Sequence, residues 1–203
     1  MIFGQNFARA FVPAALVAVA APAPAAESAD MARLNAHISA VQTMTADFVQ
    51  TDARGRSAAG KLQLKRPGRV RFEYGSGDLL LVADGKQLSF IDYQVGQKSS
   101  WPLNRTPLGV LLSGSPNLKG RAQIVANKDP RIVLVRARDP AQYGSIVLAF
   151  VRSASAPGGL QLHGWTAIDG QNKRTTVRLS NARYNVAVAD GAFTYREPKK
   201  RGR

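Results

Sequence analysis

The chain has 203 residues, 45% hydrophobic and 20% charged, a balance that excludes a disordered polar tract and suits one globular domain with a substantial core. Its 28 Lys and Arg against 13 Asp and Glu leave a formal charge of +15, which points to an anionic partner or to a merely solvated basic surface. The absence of cysteine excludes disulfides, thiolate metal sites, a cysteine nucleophile and a lipid-modified cysteine.

At the N-terminus Arg9 precedes the apolar run FVPAALVAVAA, and the small-residue segment APAPAAES follows. This layout predicts a secretory signal peptide over residues 1–25, cleaved after Ala23-Pro24-Ala25, because the apolar run is too short and too interrupted by proline to span a bilayer. Residues 26–203 are then expected to form a single domain with a basic C-terminal tail, exported and soluble. Export without disulfides points to a bacterial periplasm.

Ser28 and Asp30 offer N-caps for a first helix in which Leu34, Ile38 and Val41 recur at helical spacing, with Met31 and Met44 at its ends, about four turns in all. From Ala46 onward the apolar period becomes two. Strands are predicted at 46–51, 58–65, 69–74, 79–83, 87–92, 97–102, 122–127, 131–138, 145–151, 160–168 and 174–184. Turn residues such as Pro67-Gly68, Asp84-Gly85 and Asp169-Gly170 separate them, and connections this short imply antiparallel neighbours.

The stretch KLQLKRPGRVRFEY, residues 61–74, sets Leu62, Leu64, Val70, Phe72 and Tyr74 on alternate positions around its turn. Lys61, Lys65, Arg66, Arg69 and Arg71 bring five cations into the same hairpin. Further on, TPLGVLLSGSP predicts a second, short helix: Thr106 is its N-cap, Pro107 takes the first helical position, and Gly114 closes it. Leu108, Leu111 and Leu112 share one face of that helix. The closing REPKKRGR is expected to be a charged, mobile coda.

Chemistry-bearing constellations are missing. No G-x-S-x-G pentapeptide, glycine-rich phosphate loop, H-E-x-x-H or Asp-rich calcium loop occurs. His37, on the expected polar flank of the first helix, and His163, within a strand, have no second ligand at metal spacing. The acids stand singly in turns and at strand edges, so no paired-carboxylate site is expected. The expectation is no catalytic residue, no metal, no cofactor and no enzyme. Nucleic acid is not expected either, since the cations are not interleaved with an RNA-stacking aromatic motif or placed on a DNA-reading helix.

What remains is a mainly β (α+β) fold, in which a long antiparallel sheet curls into a barrel-like wrap with helices over its apolar face. Its interior is either filled by side chains or left hollow.

The segments TMTADFVQT, SAAGKLQLKRPGRVRFEY, LLLVADGKQLSFIDYQVGQ and TPLGVLLSG, in that order, resemble the LolA type of periplasmic outer-membrane lipoprotein carrier, over about residues 30 to 195. The resemblance rests on Phe48 and Gln50, on Lys65-Arg66-Pro67, on Asp84-Gly85-Lys86, on Asp92-Tyr93 and on the leucine-rich Pro107 to Leu112. It implies an unclosed antiparallel β-barrel of about eleven strands, with an N-terminal helix and a short helical lid over an apolar cavity. It also implies a monomeric chaperone that accepts acylated lipoproteins from an inner-membrane ABC transporter and delivers them to an outer-membrane receptor lipoprotein. Lacking a cysteine, the chain fits the soluble carrier rather than the anchored receptor.

By the same resemblance Arg66 becomes a latch that bonds lid carbonyls when the cavity is empty. The expected acyl-chain lining is Val70, Phe72, Leu81 and Phe90 from the early strands, and Ile146, Leu148 and Trp165 from the late ones. Leu34, Ile38 and Val41 of the first helix and Leu108, Leu111 and Leu112 of the lid complete it. Each of these positions is equally compatible with plain core. The sequence departs from the pattern at Val70, where many members carry an aromatic, and in its short basic end. Two other readings stay open: a lipid- or lipoprotein-sensing domain of the same fold, and a polyanion-binding surface domain.

Overall fold

The computed structural model describes residues 28–75, 77–106, 109, 112, 118, 120, 122–137 and 144–199. The expected signal peptide, Leu108, Leu111, Gly114 and the last four residues lie outside the described residues. Helix α1 runs Ala29–Ala40, and Ser28 caps it by accepting the Met31 N–H on its hydroxyl at 3.2 Å. It is shorter than the four turns expected. Val41 has left the helix for an extended conformation (φ −85°, ψ 106°), its N–H closing the last turn on the His37 carbonyl. The cause is the sheet: pairing begins at once, with Thr43 opposite Lys65 and Met44 opposite Leu64.

Eleven strands follow: β1 (Thr43–Thr51), β2 (Ser57–Lys65), β3 (Arg69–Tyr74), β4 (Leu79–Asp84), β5 (Gln87–Asp92), β6 (Gln97–Pro102), β7 (Ala122–Val125), β8 (Ile132–Ala137), β9 (Ser145–Arg152), β10 (Leu160–Ile168) and β11 (Arg174–Tyr184). They form one antiparallel sheet in the order β6-β5-β4-β3-β2-β1-β11-β10-β9-β8-β7. Two meanders, β1 to β6 and β7 to β11, are therefore joined along a single seam where β1 pairs β11. Strands β6 and β7 remain edges, so the barrel is unclosed. Asp84 and Asp169 serve as turn residues, their carboxylates accepting N–H groups of Lys86 and Gln87 (both 2.8 Å) and of Gln171 and Lys173 (2.9 and 2.8 Å).

The inner face carries the main core, in which Phe48 (1% exposed) meets Phe72 and Tyr74 edge-to-face at 5.4 and 5.0 Å. Helix α1 lays Leu34 and Ile38 on Val133, Val135, Ile146, Leu148, Phe150 and Leu160. A separate cluster lies on the outer face of β4 and β5, where Leu80, Val82 and Ile91 are covered by Phe193. Strand β4 reads LLLVA because both of its faces are buried.

The residues that cover this outer face belong to the C-terminal segment, and the hairpin cations hold it there. Asp190 binds Lys65 at 2.7 Å and Arg69 at 2.6 Å. Arg71 donates to the carbonyls of Ala192 (3.2 Å) and Thr194 (3.1 Å), Arg69 lies over the Phe193 ring, and the Tyr93 hydroxyl donates to the Arg196 carbonyl at 2.9 Å. Lys98 pairs with Glu197, so the described part of the expected mobile coda is docked. Lys61, for its part, is paired with Asp47. These cations fasten the protein's own chain.

Candidate functional site

Between α1 and the inner face of the sheet lies a cavity of about 80 Å³. Strands β2 and β3 supply Leu62, Leu64, Val70 and Phe72, which the registers Leu62↔Phe72 and Leu64↔Val70 bring onto one face. From the second meander come Ile146, Leu148, Phe150, Leu162 and Trp165. Ile38, Val41, Met44 and Leu112 close the remaining sides. Phe72 on β3 and Trp165 on β10 meet edge-to-face at 5.8 Å across the interior, joining strands that are not neighbours in the sheet.

Among the described lining residues only His37 and Arg66 carry an ionisable side chain, and none is a carboxylate. Burial lowers the Arg66 pKa from its ordinary value, because a guanidinium in this surrounding has lost part of its hydration. Burial likewise holds His37 below the usual imidazole range, against the pull of its Nδ1 contact with the Pro157 carbonyl at 2.8 Å. The His37 ring stands edge-on to Phe150 and Tyr184, with centroids at 5.2 and 5.5 Å. It is thus a buried wall residue, 5% exposed, and not part of a polar helix flank.

The turn that carries Arg66 is tied at both ends to the covering segments. The Arg66 N–H donates to the Gln42 carbonyl at 2.8 Å, and the Gly68 N–H donates to the Leu112 carbonyl at 2.7 Å. Gly109 and Leu112 are helical, as the pattern of TPLGVLLSG predicts for that stretch. Gly68 has φ +72°, and a methyl group on it would stand 2.8 Å from the Gly85 Cα. Only glycine fits there, so the contact with Leu112 is built on a glycine turn.

Of the residues expected to line a cavity, Ile38, Val41, Val70, Phe72, Leu112, Ile146, Leu148 and Trp165 are brought together, with Arg66 beside them. Leu34 is fully buried but turned onto the β8–β10 core, away from the hollow. Leu81 packs into the main core one strand beyond Phe72, and Phe90, its partner on β5, is half-buried and farther still. Leu81 and Phe90 alternate correctly on their strands, but distance along the sheet, which alternation does not encode, sets them apart from the hollow; helical spacing likewise gives Leu34 a buried face but not the part of the core it meets. The residues missed are His37, Met44, Leu62, Leu64, Phe150 and Leu162. Leu62 and Leu64 carried a signal, being on the same face as Val70 and Phe72 once the Pro67-Gly68 hairpin is closed.

Among the described residues no group of three or more His, Asp or Glu stands close enough to hold a metal ion. No helix among them is long and apolar enough to cross a membrane. Residues 39–196 match the family described as "Outer membrane lipoprotein carrier protein LolA". The outer-membrane lipoprotein carrier protein of Chromobacterium violaceum is 30% identical over 202 residues, 92% of each chain. That of Pseudomonas aeruginosa is 28% identical over 200 residues, 94% of each chain. Among solved structures, a LolA superfamily protein from Nitrosomonas europaea is similar with a TM-score of 0.42 and 12% identity, covering 84% of this chain and 99% of that one.

Proposed function

The chain belongs to the LolA family of outer membrane lipoprotein carriers, and we propose that it ferries acylated lipoproteins through the periplasm, shielding their acyl chains in the cavity under α1. The observation that carries this reading is the lining, apolar at every described position except His37 and Arg66. An acyl chain resists entering water by about 0.8 kcal/mol per CH₂, so a chain of about sixteen carbons is held in a membrane by roughly 12 kcal/mol. Unassisted crossing of an aqueous space is correspondingly slow, and a carrier has to offer comparable apolar area.

In this structure α1 and the Leu112 segment lie over a cavity of about 80 Å³. Loading, in this reading, moves α1 and the Leu112 segment away from the sheet, exposing the apolar lining to the acyl chains. In this reading Arg66 is the latch: its fork of donors bonds lid carbonyls in the closed form and yields when cargo enters. Its place in the lining, and the Gly68 to Leu112 bond two residues on, support that role. The cargo comes from an inner-membrane ABC transporter and goes to a receptor lipoprotein in the outer membrane. Residues 1–25 direct export.

The test is to incubate the purified mature chain with ATP-energised inner-membrane vesicles carrying triacylated lipoproteins. The expected result is lipoprotein in the soluble fraction, bound to the chain in equimolar amount. Lipoprotein that stays with the vesicles overturns the reading.

A further inference from the structure

Strand β11 lies at the middle of the sheet and turns Arg174, Arg178 and Arg183 to its outer face, where all three are exposed. None of them makes an ion pair or a side-chain hydrogen bond among the described residues. This contrasts with the hairpin cations Lys61, Lys65, Arg69 and Arg71, every one of which is committed to a partner within the chain. Part of the chain's surplus charge therefore stands unpaired in a row on this strand.

Simple alternation does not put the three arginines on one face. Residues 174 and 178 share a face by parity, but 183 belongs to the opposite one. A bulge corrects this: Asp47 pairs with Ser180 and Thr45 with Arg183, so β11 spends one more residue than β1 between them. Asn181 sits at the bulge with φ +53°, its amide donating to Asp47 at 2.6 Å. As a result Ala182 and Tyr184 pack inward and Arg183 returns to the outside. The row then runs about 26 Å along the strand, at about 3.3 Å per residue with the bulge adding no step.

The surroundings indicate what it fits. Opposite Arg178 stands Val49, 46% exposed, and it is the large apolar residue exposed on this face among those described. A folded protein partner would want an apolar core at the interface. The carboxylates near the row, Asp47, Asp52 and Asp169, are each engaged locally, by Lys61 and Asn181, by Arg56, and by turn N–H groups. The sheet wraps around its cavity, so this face is convex and meets a flat surface along a narrow band. Neither α1, which packs on β7 and β10, nor the C-terminal turn, which packs on β3 and β4, covers it.

We propose that the outer face of β11 is a membrane-docking track, on which Arg174, Arg178 and Arg183 engage the phosphates of anionic phospholipids with Val49 between them. Arginine's planar fork takes a phosphate by two bonds at once. The track lies on the opposite side of the sheet from the cavity, so docking leaves the cavity wall untouched. It does not depend on what the cavity carries.

The test is co-sedimentation of the mature chain with phosphatidylcholine vesicles, with and without phosphatidylglycerol, over a salt series. The expected result is partitioning that requires phosphatidylglycerol and weakens as salt shortens the screening length. The triple substitution Arg174→Gln, Arg178→Gln and Arg183→Gln is expected to lose about fivefold per arginine, about a hundredfold in all. A control of equal charge, Lys86→Gln, Arg105→Gln and Lys128→Gln, is expected to lose far less, and the single Arg178→Glu serves should the triple variant fold poorly. Three results would overturn the proposal: no preference for phosphatidylglycerol, equal losses in the two triple variants, or binding to soluble polyglutamate or heparin with none to vesicles.

Discussion

Gly158 lies so close to His37 that a methyl group on it would stand 2.4 Å from the His37 backbone nitrogen. Its neighbour Gly159 also has a positive φ, +73° against +64°, yet open space surrounds it. The two positions separate backbone strain from steric docking of α1. Gly159→Ala is expected to cost about 1–2 kcal/mol, from φ alone. Gly158→Ala is expected to cost about 3 kcal/mol or more, because the helix must also move. Urea denaturation of both variants measures the difference, and equal costs would mean that α1 is not seated on this glycine.

Arg66→Leu is expected to load cargo as the parent does and to release it poorly. The substitution removes a part-desolvated charge, which makes the cavity more apolar, and with it the proposed latch, for which a charged hydrogen bond would supply about 1.5–3 kcal/mol. The transfer equilibrium to an acceptor should shift by about ten- to a hundredfold. Counting lipoprotein moved from loaded carrier to outer-membrane vesicles checks it, and unimpaired transfer refutes the latch.

The pH dependence of stability should carry a signature of His37. Burial holds its folded-state pKa below 6.5, so the unfolded chain takes up a proton first as pH falls. Its contribution is fully present above about pH 6.5 and is lost as pH drops through the folded value, with a slope of at most about 1.4 kcal/mol per pH unit. The charged or titratable neighbours are Arg66 and Tyr184, and neither changes charge in that window. His37→Gln should flatten the decline between pH 6.5 and 5. The carboxylates Asp30 and Asp190, held low by Arg152 and by Lys65 with Arg69, lose their contributions only as pH falls below about 3.8, in a separate window.

Phe193→Ala is expected to cost about 3 kcal/mol, since the ring is 4% exposed and completes the outer cluster with Leu80, Val82 and Ile91. The loss should be local as well as global. Limited proteolysis should find new cleavage between residues 186 and 199 in the variant, while the cavity side stays protected.

Much of the architecture was legible because period-two alternation and Gly/Pro/Asp turns are local signals: every predicted strand is present, within a few residues at each end. The first strand was read three residues late, at Ala46, because Val41, which ends the helix, and Met44, which belongs to the strand, both fit the helical spacing. His37 was misplaced for a related reason. A helix shows which face is apolar, but not that a distant turn, Pro157 to Gly159, folds over its flank and buries an imidazole there. What Lys65, Arg69 and Arg71 hold was not legible, because their acceptors, Asp190 and the carbonyls of Ala192 and Thr194, lie more than a hundred residues later in the chain. As for the wall of the hollow, alternation assigns a face, while position along that face depends on how the sheet curls.

The seam between β1 and β11 sets the order in which the protein can assemble. Met44 pairs with Tyr184 and Thr51 with Thr176, so the first strand to be synthesised waits for the last. Each meander can zip up from neighbouring hairpins as it emerges, but neither alone encloses anything. Until β11 arrives, Phe72 and Trp165 have no partner across the interior, and both apolar faces stand open to water. Non-local closure of this kind is slow, and during that interval the unfinished chain is itself a greasy surface in need of shelter.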